Sequence, residues 1–460
     1  MAEQWLIDYA ALLDAGLDLA NRGLHDAAIE KYDVAIALNS HLSAAYINRG
    51  LAKFELKRHT EALTDLSHAI DLQPGFAMAH NNRGAIYRAL GQSDAAAKDY
   101  RAAIELAGDV AIDAHGNLAT YYFETKQYEL AGAMYEKTIA LQPDYALAHW
   151  NYGMHLLLLG DYSRGWQEYH WRWQVPGYQA DHRCCPAPLW LGKELLRGKT
   201  IVLQAEQGFG DMIQFCRYAE QVADLGAHVI LEVQPSLVDL CRSIKGVDKV
   251  IAQKDDVDDY DFYCPMMSLP LAFATSISTI PSRTPYLTSD PIKVRKWQSI
   301  LGAKVKPRIG LAWSSDPNHP SSPSRSVPLD ALVSIVTNEF EFISLQRLTW
   351  PRDLRAIFDS GIRRFEAELG DFSETAALCE CLDMVVSVDT SIAHLAGALA
   401  KPVCILLHAH NDWRWLQGRS DSPWYPTAKL YRQKDGADWL EVVAELQTDI
   451  SNHFQGSLQK

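Results

Sequence analysis

The chain has 460 residues, 48% of them apolar, and its 57 acidic against 43 basic side chains give a formal charge of −14 at pH 7. The acidic excess argues against a nucleic-acid surface, which needs a basic stripe, and the length allows two or three domains with substantial cores. Eight cysteines in a chain this long do not form a disulfide framework. No apolar run approaches the roughly 20 residues that span a bilayer, and Met1 to Leu13 carries Glu3 and Asp8 instead of a basic signal segment, so the expected compartment is the reducing cytoplasm.

The first third repeats itself. Gly16, Gly50 and Gly84 are 34 residues apart, as are Ala28, Ala62 and Ala96, Tyr32, Leu66 and Tyr100, and Ala35, Ala69 and Ala103. After one inserted residue Ala119, Ala131, Tyr135 and Thr138 continue the register, and Gly153, Gly165, Tyr169 and Arg172 follow 34 later. This period is similar to the tetratricopeptide repeat, and it predicts about five helix pairs over residues 1–178. The small residues let paired helices approach, and the aromatic fills the hole opposite. Stacked pairs form a superhelix whose concave face takes a peptide. Asn48, Asn81, Asn82, Asn117 and Asn151 recur on the first helices. They either hydrogen-bond an acceptor peptide in that groove or face water. The last repeat ends in Tyr169-His170-Trp171-Arg172-Trp173, too apolar for an outer cap, and is expected to dock on the next domain.

The periodicity stops between Pro176 and Pro188, so residues 179–198 are expected as a linker. His182, Cys184 and Cys185 lack a spaced fourth ligand and make a weak zinc site. Strand and helix patterns then alternate. In residues 199–298, strands are expected at Ile201–Leu203, Val229–Val233 and Asp261–Cys264, and helices at Asp211–Leu225 and Pro235–Ile244, with a crossover from Tyr286 to Trp297. In residues 299–460, strands are expected from Arg308, at Phe342–Leu345, Met384–Val388, Val403–Leu407 and Lys429–Tyr431, with a terminal helix in Ala437–Phe454. The fold class is therefore an α superhelix followed by α/β, with two Rossmann-like halves and a cleft between them. Two-domain glycosyltransferases of the GT-B type have this layout, and dehydrogenases and epimerases share it.

The cleft residues follow from where strands end. Glu206-Gln-Gly-Phe-Gly-Asp-Met-Ile-Gln214 follows the first strand, and Gly208 and Gly210 permit a tight turn and close approach of a ligand. Ile213 stands where a dinucleotide fingerprint needs its third glycine. Asp211 is either half of a capping box with Gln214 or a general base. Trp313 and Ser314 end a strand of the second half, and a loop rich in Ser and Pro then delivers Arg325, suited to a diphosphate. From Met384 to Leu407 the chain reads strand, polar turn, helix, strand. Thr390, Ser391 and the amides there are expected to hold a diphosphate, with Asp389 capping the helix. His394, one turn later, is a core histidine or a ligand on the same face. Asp412-Trp413-Arg414-Trp415 and Pro423-Trp424-Tyr425-Pro426 are loop aromatics that cover a base or sugar, or pack the domain joint. His408, His410 and Asp412 alternate, but their loop position favours a reading without metal. Asp256-Val257-Asp258 is read as a solvated acidic loop.

Gly208-Phe-Gly-Asp211, Arg325-Ser-Val-Pro-Leu329, Asp371-Phe-Ser-Glu-Thr-Ala-Ala-Leu378 and Val388-Asp-Thr-Ser-Ile-Ala-His-Leu-Ala-Gly-Ala-Leu399 together resemble the heptosyltransferase-like glycosyltransferases of the family 9 type. Joined to tetratricopeptide repeats, the chain is similar in layout to protein O-GlcNAc transferases and flagellin glycosyltransferases. The resemblance implies an inverting, metal-independent transfer with a nucleotide-sugar as co-substrate and no other cofactor. It implies Asp211 as catalytic residue and Arg325, Asp389, Thr390, Ser391 and His394 as diphosphate ligands. From their places at strand ends and in the cleft loops, Gly208, Gly210, Gln214, Trp313, Ser314 and Trp413 are expected as further cleft contacts. The partner implied is a protein acceptor, a flagellin-like client for example, gripped at Asn48, Asn82, Asn117 and Asn151 and modified on Ser or Thr. Two alternatives stay open: a repeat scaffold with a degenerate transferase half, and transfer to a lipopolysaccharide-type glycan.

Overall fold

A computed structural model describes residues 2–178, 186–257, 259–316 and 325–458. The weak zinc candidates His182, Cys184 and Cys185 lie outside the described residues, as does Asp258. The chain divides into two compact units, residues 1–155 and 156–460. No helix among the described residues is long and apolar enough to cross a membrane.

The first unit is a run of helix pairs. Its helices are α1 (Ala2–Asn21), α2 (His25–Leu38), α3 (Ser43–Glu55), α4 (His59–Leu72), α5 (Ala77–Ala89), α6 (Ser93–Ala107), α7 (Ile112–Glu124), α8 (Tyr128–Leu141) and α9 (Ala146–Leu159), within which the division falls. The periodic residues meet across each pair. A Cβ at Gly16 would stand 2.4 Å from the Tyr32 ring, and one at Gly84 would stand 2.6 Å from the Tyr100 ring. Only glycine lets these helices close, and the buried tyrosines fill the space. Polar contacts repeat as well. Arg49 donates to both oxygens of Asp65 at 2.9 and 2.6 Å, and Arg83 does the same to Asp99 at 2.7 and 2.8 Å. Asn48, Asn82, Asn117 and Asn151 are half-buried, and Asn117 Nδ2 donates to Asn81 Oδ1 at 2.9 Å.

The second unit opens with α10 (Tyr162–His170) and a 3₁₀ turn, Trp171–Gln174. Two parallel sheets follow. The first contains β1 (Thr200–Gln204), β2 (His228–Val233), β3 (Val247–Ala252) and β4 (Phe262–Pro265) in the order β3-β2-β1-β4. The second contains β5 (Arg308–Ala312), β6 (Glu341–Ser344), β7 (Met384–Val388), β8 (Val403–Leu407) and β9 (Ala428–Arg432) in the order β6-β5-β7-β8-β9. Every residue of β5, β7 and β8 is buried, as parallel strands covered on both faces require. Helices α11 (Phe209–Phe215), α12 (Ala219–Asp224), α13 (Pro291–Leu301), α14 (Phe372–Glu380), α15 (Ser391–Ala398) and α16 (Leu440–Leu458) place the cleft residues.

Three local expectations differ from what is found. The helix expected over 211–225 is broken into α11, a 3₁₀ turn at Cys216–Tyr218 and α12. At the break Arg217 Nε donates to the Gln214 carbonyl at 2.8 Å. The strand β3 was not expected, because its Asp248 and Lys249 are exposed on a sheet edge and interrupt the apolar pattern. Residues 188–190, within the stretch expected as linker, run along β4: Trp190 is buried and its backbone N–H donates to the Tyr263 carbonyl at 2.8 Å.

Candidate functional site

Strand order locates the site. The chain leaves β1 for β2 on one side and returns to β4 on the other, and likewise leaves β5 for β6 before returning to β7. The crevices at these switch points, beyond the carboxyl ends of the strands, are where parallel sheets bind ligands. The first switch point carries Gly208 to Asp211 after β1. The second carries Ser314 and Ser315 after β5 and Asp389 to Ser391 after β7. The two meet head to head, since a Cβ at Gly210 would stand 2.9 Å from His394 Cδ2 and 3.6 Å from Ser391 Cα. Gly210 is therefore needed for the approach of α11 to α15.

Between them lies a cavity of about 450 Å³. The first half lines it with Gly208, Phe209 and Gly210. The second half lines it with Ser314, Ser315 and Arg325 after β5, Gln346 and Arg347 after β6, Asp389 to Ile392 after β7, and Asp371, Phe372 and Thr375 at the start of α14. A smaller chamber of about 240 Å³ shares Arg325 and Asp389 and continues to His408, His410, Asn411 and Asp412.

Three helix starts at the cavity differ in capping. At α11, Asp211 Oδ2 accepts from the Gly208 N–H at 2.8 Å. The capping partner of Asp211 is thus Gly208, three residues back, and not Gln214. At α14, Asp371 accepts from the amides of Ser373 and Glu374 at 2.9 and 3.0 Å. At α15 the N-cap residue is Thr390, and its side chain makes no capping bond. The expectation that Asp389 caps it is corrected: Asp389 sits one residue too early, before an extended Thr390.

The charges around the cavity are coupled. Arg414 Nη2 pairs with Asp211 Oδ1, and its Nη1 donates to Asp412 Oδ1 at 2.8 Å. The guanidinium lies 4.2 Å from the centre of the Trp413 ring. Burial raises the Asp211 carboxyl above its ordinary range, while Arg414 and the Gly208 N–H oppose it. Burial, reinforced by Asp412, pushes Asp389 up to about 6, against the pull of Arg325. Asp412 is held below its ordinary range: burial alone would raise it, but Arg414 outweighs that.

Several expected cleft contacts lie elsewhere. Trp313 is fully buried, donating from Nε1 to Asp353 Oδ2 at 3.0 Å, because the strand ends with its ring turned into the core. Trp413 is buried against Trp166 and Tyr169, so it packs α10 and does not face the cavity. Trp424 and Tyr425 are likewise buried. Gln214 is buried on α11 away from the cavity lining. His394 is buried too: its Nδ1 lies 2.8 Å from the Tyr425 hydroxyl and its ring stacks on Trp415. Burial first, then Arg414, lowers its pKa to about 3, so it is neutral and supports the helix start from behind. His408 packs edge-on to Trp439 and Asp412 is engaged by Arg414, while Asp256 is exposed. The sequence reading missed Gln346, Arg347 and Phe372 as lining residues and Arg414 as the partner of Asp211. Asp371 to Leu378 already stood out as a motif, a signal that could have found Phe372.

Comparisons with known proteins agree with the two-part layout. Tetratricopeptide repeat families match residues 13–75, 77–109 and 117–167. Glycosyltransferase family 9 (heptosyltransferase) matches residues 369–436, from just before α14 to beyond β9. The chain is similar to Protein FlbA of Caulobacter vibrioides, 24% identical over 431 residues, covering 88% of this chain and 72% of that protein. It is also similar to the human mitochondrial import receptor subunit TOM34, 39% identical over 61 residues, 13% of this chain and 20% of that one. Among solved structures, Pseudomonas aeruginosa pilF matches at a TM-score of 0.38 and 15% identity, covering 48% of this chain and 89% of its own. A MamA protein matches at 0.32 and 20%, covering 41% and 100%. The chain thus joins tetratricopeptide repeats to a short family 9-like segment, and that segment contains the start of α15.

Proposed function

We propose that the chain is a cytoplasmic glycosyltransferase of GT-B type that moves a sugar from a nucleotide-sugar to Ser or Thr hydroxyls of a protein held by its repeats. The observation that carries the reading is the meeting of two unlike strand ends at one cavity. One brings Asp211, which directly follows the lining residues Gly208 to Gly210 and whose proton affinity burial raises, and the other a helix start whose N-cap Thr390 makes no side-chain capping bond. Asp211 takes the proton of the acceptor hydroxyl. That oxygen bonds to the anomeric carbon from the face opposite the leaving group, which inverts the configuration. The bond from that carbon to the phosphate oxygen breaks, and its electron pair leaves on the diphosphate. Arg325 and the N–H groups at Thr390 and Ser391 balance this charge. As in the resemblance, the departing charge is assigned to these groups and to no metal ion. Asp389 and His394 shape the helix start, and Ser314 lines the diphosphate end of the cavity. The half-buried Asn48, Asn82, Asn117 and Asn151 bond the acceptor backbone.

Thermal unfolding of the protein against UDP, GDP, CDP, ADP and CMP, with Arg325→Ala in parallel, tests the donor site. A nucleotide at 100 times its dissociation constant adds about 2.7 kcal/mol of stability. The expected result is a shift by one base in the wild type that Arg325→Ala largely removes. If no nucleotide shifts the wild type, the transferase reading fails and a repeat scaffold takes its place.

A further inference from the structure

The segment after α10 is tied to the turn after β1 by buried polar contacts. Arg172, in the turn after α10, and Glu206, after β1, have side chains exposed by 1% and 0%. Arg172 donates to both Glu206 oxygens at 3.0 Å each, and also to Ser268 Oγ at 2.9 Å. Two charges taken wholly out of water gain little net stability over an apolar pair of the same volume. What such a fork fixes is geometry.

The geometry it fixes is that of the turn carrying Asp211. Glu206 is followed by Gln207, a non-glycine residue at φ 60°, in the left-handed region that most residues avoid. Gln207 is tied down by its own side chain, which donates to the Tyr169 and Tyr178 hydroxyls at 3.0 and 2.7 Å. Gly208 comes next, and its N–H holds Asp211 Oδ2. The other oxygen of Asp211 is held by Arg414, whose neighbour Trp413 packs on α10 through Trp166 and Tyr169. Both turns that grip the carboxylate therefore rest on one segment, Trp166 to Arg172.

We infer that Arg172 is a positioning residue for Asp211, and that the helix and turn it belongs to, which carry the last tetratricopeptide register, serve as the rear wall of the chemical site. The inference rests on the transferase reading. Arg172 touches neither the cavity nor a substrate. It sets where the Asp211 carboxylate stands relative to the donor, and so acts on turnover and not on donor binding.

The test uses two variants of the full chain. Arg172→Lys keeps the charge and loses the two-pronged bond. The double variant Arg172→Met with Glu206→Leu replaces the pair by apolar groups, so that no buried charge is orphaned. Turnover is the release of nucleoside diphosphate from the nucleotide-sugar whose base the diphosphate series identifies. Misplacing a reacting group by an ångström costs about 10²-fold. Both variants should melt near the wild type and bind the nucleoside diphosphate as the wild type does, with KM for donor little changed and kcat lower by about 10²-fold. Wild-type kcat in either folded variant overturns the inference. A rise in donor KM with unchanged kcat overturns it too. The transferase reading fails separately, through unchanged turnover in Asp211→Asn or no nucleotide bound by the wild type.

Discussion

Helices α11 and α15 both begin at the carboxyl end of a buried parallel strand, at the switch point of its sheet, and face the same cavity. They differ in where the neighbouring aspartate stands: Asp211 is the third residue of α11 and bonds back to the Gly208 N–H, whereas Asp389 precedes the N-cap of α15. At α11 the chain supplies its own carboxylate, and Arg414 then neutralises it. At α15 the N-cap Thr390 makes no side-chain capping bond, and the residue before it, Asp389, carries a carboxyl that burial raises. A helix start that carries its own anion has little use for another, whereas an open one attracts it. Under the proposed function, the same motif serves as a base in one half and as an anion site in the other, and the difference lies in where one aspartate stands relative to the first helical residue.

The comparison can be broken most severely at the base. Asp211→Asn should lower transfer by about 10²- to 10⁴-fold, the usual range for a general base, while nucleotide binding stays at the wild-type level. Equal loss of both in a binding titration would mean that Asp211 serves the donor site. The next effect comes from making α15 resemble α11. Thr390→Asp adds a capping carboxylate, so the melting temperature should hold or rise while nucleoside diphosphate affinity falls at least about tenfold from like-charge contact. Unchanged affinity by calorimetry would put the diphosphate elsewhere.

A smaller effect is expected at Asp389. Its carboxyl is raised to about 6 in the folded protein. An unfolded aspartate titrates near about 4. The folded state therefore binds the proton more tightly, and stability falls as pH rises from about 4 to about 6, then stays low. Asp389→Asn should stabilise the protein by about 1–3 kcal/mol at pH 7.5, and the gain should vanish below about pH 4 in denaturant titrations. The smallest effect sharpens the contrast with α14, whose N-cap Asp371 accepts from the amides of Ser373 and Glu374. Asp371→Ala should cost about 1 kcal/mol of stability from the lost cap, read in the same denaturant titrations.

Much of this was legible in the chain. The repeats announce themselves because each helix pair needs a small residue and an aromatic at the same places, and Gly84 against Tyr100 is that need in atomic terms. The strands of the second sheet stand out because both their faces are covered. The Gly208 and Thr390 turns are readable because glycines and polar residues directly after an apolar run mark the end of a strand. Edge strand β3 was hidden by its exposed Asp248 and Lys249. Trp313, Trp413 and His394 were visible as chemistry-bearing side chains, yet whether such a side chain faces the cavity or the core depends on the elements packed around it.

The sequence by itself determined the repeat period, the order of the strands other than β3, and the two turns that meet at the cavity, because each rests on spacing within a few residues or a fixed repeat length. Only the tertiary structure decided that Arg414 faces Asp211 across 203 positions of sequence and that Arg172 reaches Glu206 across 34. It also decided that Thr390 makes no side-chain capping bond at α15 and that burial lifts Asp389. Desolvation and ion pairing act through space, at distances that no local pattern encodes.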